Sequence, residues 1–410
     1  MQDPSFRSLL TKRMLVFFIG FFCVEATRAM TMVQIPIFLR EIGASVSDVG
    51  LFFTLSMIFI LSLRIIGGWA SDTFGRLRAM WLGSLIGIFA YIPYVIADRW
   101  EVAILGPILL AVASGLTLPS FRAYIADTTP DFAQGRMFGI SSAFRTAAWI
   151  VAPPIGGYVA FTYGSRWTFL LAAILFTVAA IIYFLFDRTD KTETASSTDP
   201  INFNSFRLSL SQIAVLVFSG GLLTWIIITD GIKDVTYRLS FDLMPIYLNE
   251  IAGIGKQGIG FLDGIHGIAW VVASPIGGAL SDRTSERIAA TLGLGLLLAA
   301  PLTFALATDY WGFALSWILI GVGGGFFDPA INALIAKGVD PKLRGIAYAL
   351  VATSVGLVSL ASPWIGARLW ETFGPKVPYI LTVLLGSLAL IPAWTKLRVP
   401  SKEAREEQAT

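Results

Sequence analysis

The sequence predicts an all-α membrane protein of twelve transmembrane helices, arranged as two pseudo-symmetric six-helix bundles. Three observations carry that prediction. Of 410 residues, 55% are hydrophobic and 14% charged, and the mean hydropathy is +0.73, more apolar than a solvated surface permits. A bilayer core asks for roughly 20 apolar residues per helix, and the chain divides into twelve such stretches. The two halves also repeat one another: Asp72 and Asp282 stand 282 − 72 = 210 residues apart, and many other pairs share that spacing.

The stretches run 14–39, 46–70, 77–97, 102–126, 136–161, 167–187, 212–248, 257–281, 287–308, 311–336, 344–370 and 377–397. None alternates like a barrel strand, so each reads as a helix, which satisfies its own backbone in lipid. The tail MQDPSFRSLLTKR leads into a full-length span, the pattern of an uncleaved first helix rather than a cleaved signal. The seventh stretch is longer than a bilayer requires, so SFRLSLSQIAVL, 205–216, is expected to lie along the interface.

With a cytoplasmic N-terminus, eighteen Lys and Arg at or beyond the span ends fall on the inner side, against Arg40, Arg99, Arg166, Lys256, Arg368 and Lys376 outside. That asymmetry places both termini inside, in what is expected to be a prokaryotic cytoplasmic membrane. The net charge of +3 then faces anionic lipid and calls for no nucleic acid. Cys23 is the single cysteine, which excludes disulfides and cysteine-rich metal sites. No metal or cofactor is expected, nor enzyme chemistry, and the chain is expected to act as a monomer.

The offset of 210 also relates Gly68 to Gly278, Ser71 to Ser281, Pro119 to Pro329, Gly135 to Gly345, Pro153 to Pro363 and Gly156 to Gly366. Earlier in each half, PIFLREIG (36–43) answers PIYLNEIAG (245–253) at 245 − 36 = 209, one insertion apart. The expected domains are 1–188 and 211–410, joined by a polar Ser/Thr-rich linker at 189–210. Repeated halves around a central path are the architecture of secondary transporters.

One polar loop interrupts the apolar pattern: GGWASDTFGR, 67–76, holds Gly68, Asp72, Gly75 and Arg76, with Arg78 just beyond. It resembles the loop between the second and third helices of the major facilitator superfamily, G-x-x-x-D-R-x-G-R-[KR]-x. GGALSDRTSER, 277–287, is its echo in the second half, with Asp282 and Arg283; Thr73 takes the place of Arg in the first copy and Glu286 that of Arg76 in the second. AYIADTTP (123–130) and APPIGG (152–157) resemble motifs of the drug/proton antiporter branch, although Ile108 stands where that branch carries Arg. The resemblance implies that Gly68, Asp72, Gly75, Arg76, Arg78, Asp127, Arg136, Asp282 and Arg283 form cytoplasmic latches. Pro153 and Pro363 are expected to kink the fifth and eleventh helices as gating elements.

Charges at membrane depth mark the transport path, because exposure to lipid costs about 2.5–3.5 kcal/mol each even on insertion scales. They are Glu25, Arg28, Arg122, Arg145, Lys233, Asp234, Arg238, Asp263, His266 and Asp328. The family resemblance places helices one, four, seven and ten around the cavity. Glu25 lies 11 residues before Pro36, and Asp234 lies 11 before Pro245, so the two acids are equivalent under the repeat. Arg122 likewise matches Asn332, at 332 − 122 = 210, which shares a helix face with Asp328.

Each charge is open to two roles. Glu25 with Arg28 and Asp234 with Arg238 have the spacing of local ion pairs; alternatively Glu25, Asp234, Asp328 and the Asp263–His266 pair carry protons, as low-dielectric carboxylates and imidazole can. Arg28, Arg122, Arg145, Lys233, Arg238 and Asn332 are candidate substrate ligands, the arginines suiting oxyanions. The expected function is a proton-coupled transporter working by alternating access, exporting an amphipathic or charged small molecule by antiport. The alternatives are a proton symporter for an anionic or polyol solute, a lipid or glycolipid flippase, and a membrane sensor that binds without transport.

Overall fold

A computed structural model describes residues 11–189, 221–339 and 344–398. The linker, the segment 205–216, and the side chains of 63–74, 131, 345, 346 and 349 lie outside the described residues. The described chain is helical: α1 Lys12–Met32, α2 Gln34–Glu41, α3 Val46–Phe74, α4 Arg76–Ile96, α5 Trp100–Ala103, α6 Leu105–Thr128, α7 Asp131–Tyr163 and α8 Ser165–Thr189. After the linker come α9 Leu222–Ser240, a 3-10 turn Phe241–Leu243, α10 Met244–Ile246, a π turn Tyr247–Ile251, α11 Lys256–Arg283, α12 Glu286–Leu306, α13 Tyr310–Gly338, α14 Arg344–Val358, α15 Ser362–Phe373, α16 Val377–Ser387 and α17 Leu390–Lys396. Among the described residues, nine helical stretches are long and apolar enough to cross a membrane, and Val46–Ser62 is a shorter apolar one.

The segments at 14–39, 212–248, 344–370 and 377–397 are not continuous helices, as the apolar pattern alone implies. Proline accounts for each interruption, since its ring removes the N–H that would bond the carbonyl four residues back. Pro36 acts on Met32, where α1 ends; Pro245 on Phe241, just past α9; Pro363 on Ser359, just past α14; and Pro392 on Leu388, just past α16. Pro153 and Pro154 are accommodated inside α7 without ending it. Of the two expected gating prolines, Pro363 alone separates two helices.

Two compact units result: one gathers α1–α8 together with residues 245–264, the other α9 and the chain from residue 265. The segment 245–264, which the repeat assigns to the second half, therefore packs with the first. Small residues permit this: a Cβ on Gly157 would lie 2.6 Å from the Lys256 carbonyl oxygen, and one on Gly260 would strike the Pro153 carbonyl. Charges reinforce it. Arg40 Nε donates to Glu250 Oε1 at 2.7 Å and Nη2 to Oε2 at 3.2 Å, while Lys256 pairs with Glu41.

The same crossing occurs once in each unit. A Cβ on Gly156 of α7 would lie 2.7 Å from Met30 Cβ of α1 and 2.9 Å from its carbonyl oxygen, and one on Gly366 of α15 would strike the carbonyl of Leu239 in α9. The partners are repeat-related, 366 − 156 = 210 and 239 − 30 = 209. Close backbone approach through small residues is how helices associate where lipid offers no hydrophobic gain. These two crossings set the geometry of the candidate site.

Candidate functional site

Glu25 projects from α1 and is 3% exposed. An uncompensated carboxylate there would be costly, and two donors meet it: Trp149 Nε1 of α7 hydrogen-bonds Oε2 at 3.0 Å, and Arg28 Nη1 stands 4.0 Å from Oε1. In the second unit Asp234 of α9 accepts from Arg238 Nε at 2.9 Å and from Ser359 Oγ at 2.6 Å. The acids and the fifth-helix donors correspond, 234 − 25 = 209 and 359 − 149 = 210, while the bases stand one position apart in register, since 28 + 209 = 237 is Tyr237 and Arg238 follows it. Both halves thus bind the acid of the first helix of the repeat to a base one turn along and to a donor from the fifth. Trp149 and Ser359 escape a reading by residue type, since an indole and a hydroxyl look unrelated; their common spacing is the signal that finds them.

Beside Asp234, Lys233 Nζ pairs with Asp230 Oδ1 at 2.7 Å and lies 4.9 Å from the Phe327 ring centroid. Asp230 is a further acid that no motif singles out, one turn before Asp234 on α9. Asp328 and Asn332 are exposed on α13, and Tyr348 Oη donates to the Asn332 carbonyl oxygen at 3.0 Å. Asp263 is buried at 4% exposure on α11, and the boundary between the units passes between it and half-buried His266. Among the described residues no group of three or more His, Cys, Asp and Glu could hold a metal ion.

Arg122 of α6 and Arg145 of α7 line one cavity of 280 Å³ in the first unit, with Phe21, Phe121, Phe138 and Ser142. Both arginines are exposed, and neither forms an ion pair or hydrogen bond among the described residues. Phe21 and Phe121 stack at 3.8 Å between centroids, making a flat apolar wall. The structure therefore brings these two candidate ligands to the same space.

At the loop motif, Gly75 has φ +85°, the left-handed region that favours glycine. It lets the chain turn from α3 into α4, whose first residue, Arg76, reaches Asp127 of α6 at 3.4 Å. In the second unit Lys337 reaches Glu286 at 2.6 Å and Asp282 at 3.6 Å. Positions again match, 286 − 76 = 210 and 337 − 127 = 210, but the signs are exchanged. Lys337 is an ion-pair partner that the motif alone does not name. Arg136 is exposed in the first turns of α7. Among the described residues Arg78 and Arg283 form no ion pair, and Asp72 and Gly68 fall in the stretch whose side chains are not described.

Because the pairing persists while its polarity does not, Arg76→Asp is expected to weaken the first pair and Arg76→Asp with Asp127→Arg to restore it. The pair is partly exposed, so the single change is expected to shift the balance of states by about 0.2–1 kcal/mol. Labelling of cysteines introduced at the α4–α6 junction reads that balance; equal labelling in the single and double variants would mean that the pair has no latching role.

The Major Facilitator Superfamily profile matches residues 17–232 and 235–410. Multidrug resistance protein MdtG of Proteus mirabilis is 24% identical over 398 residues, covering 94% of this chain and 95% of that protein. MdtG of Dickeya zeae is 23% identical over 411 residues, with 97% of each covered. Among solved structures, a bacterial homologue of the iron transporter ferroportin in an inward-facing state has a TM-score of 0.78 at 15% identity, over 95% of this chain and 99% of that one. A point mutant of the peptide transporter POT has a TM-score of 0.74 at 14% identity, over 93% of each.

Proposed function

The chain belongs to the major facilitator superfamily, and from that premise we propose that it is a proton-coupled secondary transporter that exports an amphipathic or charged small molecule by antiport, through alternating access. The observation that carries this reading is the duplicated acid cluster: Glu25 with Arg28 and Trp149, and Asp234 with Arg238 and Ser359. A single structural ion pair would need no counterpart. Two equivalent acids, Glu25 buried and Asp234 half-buried, each tied to another helix of its bundle, suit a group whose charge governs how the helices pack.

Ser359 suggests how a proton would be felt. Its one hydroxyl hydrogen has two acceptors in reach, Asp234 Oδ2 at 2.6 Å and the Val355 carbonyl oxygen at 3.0 Å. With Asp234 ionised, the hydroxyl donates to the carboxylate. With Asp234 protonated, the acid can donate to Ser359, whose hydrogen then turns to Val355. Protonation thereby weakens the Arg238 pair and changes what holds α9 to the broken α14–α15 helix. At Glu25, proton gain removes the charge that Trp149 and Arg28 share.

The names of the MdtG relatives support export of drug-like molecules. A second reading, symport of an anionic solute with protons, is favoured by the Arg122–Arg145 cavity. The Lys and Arg distribution supports a cytoplasmic position for both termini. Purified protein in liposomes with an imposed pH gradient, screened against anionic, cationic and polyol solutes, tests the proposal. Proton movement opposite to solute is expected; movement in the same direction would replace antiport with symport, and binding without flux would remove transport.

A further inference from the structure

We propose that the cargo is an amphipathic organic anion whose carboxylate, sulfonate or phosphonate head is held between Arg122 and Arg145, with its apolar body against Phe21, Phe121 and Phe138. This rests on the transport reading above but not on the direction of coupling. Two guanidinium groups share a cavity of 280 Å³, and neither has a partner among the described residues. Like charges gathered without a counter-ion repel, and planar forks of N–H donors match an oxyanion bidentately. No acidic residue lines the cavity among the described residues.

The remaining walls suit an organic rather than an inorganic anion. The stacked Phe21 and Phe121 rings and Phe138 are apolar, whereas free sulfate or phosphate would gain nothing from them. Ser142 adds an exposed hydroxyl; Ser141 is less free, since its Oγ donates to the Phe138 carbonyl oxygen at 2.8 Å. The volume lies just below the usual range of small-molecule pockets, about 300–1,000 Å³, enough for a head group and a small ring system. A cavity beside Lys233 in the second unit measures 20 Å³, room for about one water.

Position ties the cavity to the proton site through two helices. Phe21 lies four residues before Glu25 on α1, and Arg145 four before Trp149 on α7. On both helices the cavity is therefore one turn, about 6 Å, from the Glu25–Trp149 bond. The matching positions of the second half carry no arginine pair, because the repeat puts Asn332 at the place of Arg122 and Val355 at that of Arg145 (355 − 145 = 210). Anion recognition is thus one-sided within a two-sided scaffold.

The test uses the full chain in phosphatidylcholine nanodiscs with two probes of one shape: naphthalene-2-sulfonate and 2-naphthyl-trimethylammonium. Calorimetry is expected to show binding of the sulfonate and none of the ammonium. Arg122→Gln and Arg145→Gln are each expected to weaken sulfonate binding at least about tenfold, the worth of one charged hydrogen bond. Arg122→Lys and Arg145→Lys should retain part of it. Both side chains are exposed, so the variants should elute and melt as the parent does. Unchanged sulfonate binding in the double Gln variant, or equal binding of the ammonium probe, would overturn the assignment. The transport reading fails separately: if Arg-dependent sulfonate binding is intact but no gradient moves any solute, the site stands without transport. If instead the ammonium probe is pumped equally by parent and double variant, transport stands and the anion assignment falls.

Discussion

Glu25→Gln is expected to lower flux driven by a pH gradient sharply while leaving the protein folded. The amide keeps an oxygen for Trp149 Nε1, which lies 3.0 Å from the carboxylate, and Arg28 loses only a contact at 4.0 Å. Arg28 is 42% exposed, so water can replace that partner. What the variant cannot do is gain and lose a proton. The expected loss is roughly 5- to 150-fold, the size of an ordinary coupling free energy of about 1–3 kcal/mol. Asp234→Asn should behave alike. Solute exchange across the membrane without any gradient should continue in both, which separates coupling from binding. Undiminished uphill pumping in the double variant would remove both acids from the mechanism.

The second large effect concerns the helix crossings. Gly366→Val places a branched side chain where even a Cβ would strike the Leu239 carbonyl, and Gly156→Val sets one 2.7 Å from Met30 Cβ. Neither obstacle is the end of a flexible side chain, so α9 and α15, or α1 and α7, must separate. Overpacking of this kind costs about 1–3 kcal/mol. It should also part Asp234 from Ser359, or Glu25 from Trp149, and so lower coupled flux beyond what the loss of folded protein explains. Gly295→Ala is the control, because nothing lies within 4 Å of its added Cβ; its gain in helix propensity should leave the melting temperature equal or higher. An unchanged melting temperature for Gly366→Val would show that the two backbones do not approach so closely in the membrane.

The helices are legible because lipid imposes one solution on a long apolar run. Their interruptions are less so: Pro153 and Pro363 occupy equivalent places, yet one is absorbed into α7 and the other separates α14 from α15. The acids at 25 and 234 can be read from the repeat, since a buried charge is conspicuous against an apolar background. Their donors cannot be read by residue type, because Trp149 and Ser359 are ordinary residues whose meaning depends on which helix lies opposite; only their shared spacing points to them. Asp230 is hidden for another reason, standing beside Lys233 and Asp234 in a charged run where no single member stands out. Lys337 is legible only as surface charge until Glu286 and Asp282 come within its reach. Sequence names the groups that are expensive to bury; folding decides which of them meet.

The gap between α14 and α15 makes the duplicated bundles mechanically unlike. A rod that is whole in one copy and jointed in the other concentrates bending at the joint, here residues 359–361, and the hydroxyl that grips Asp234 sits on it. Evolution of this chain by duplication would then have left one stiff strut and one elbow, and the proton coupling proposed above would act mainly on the elbow's side.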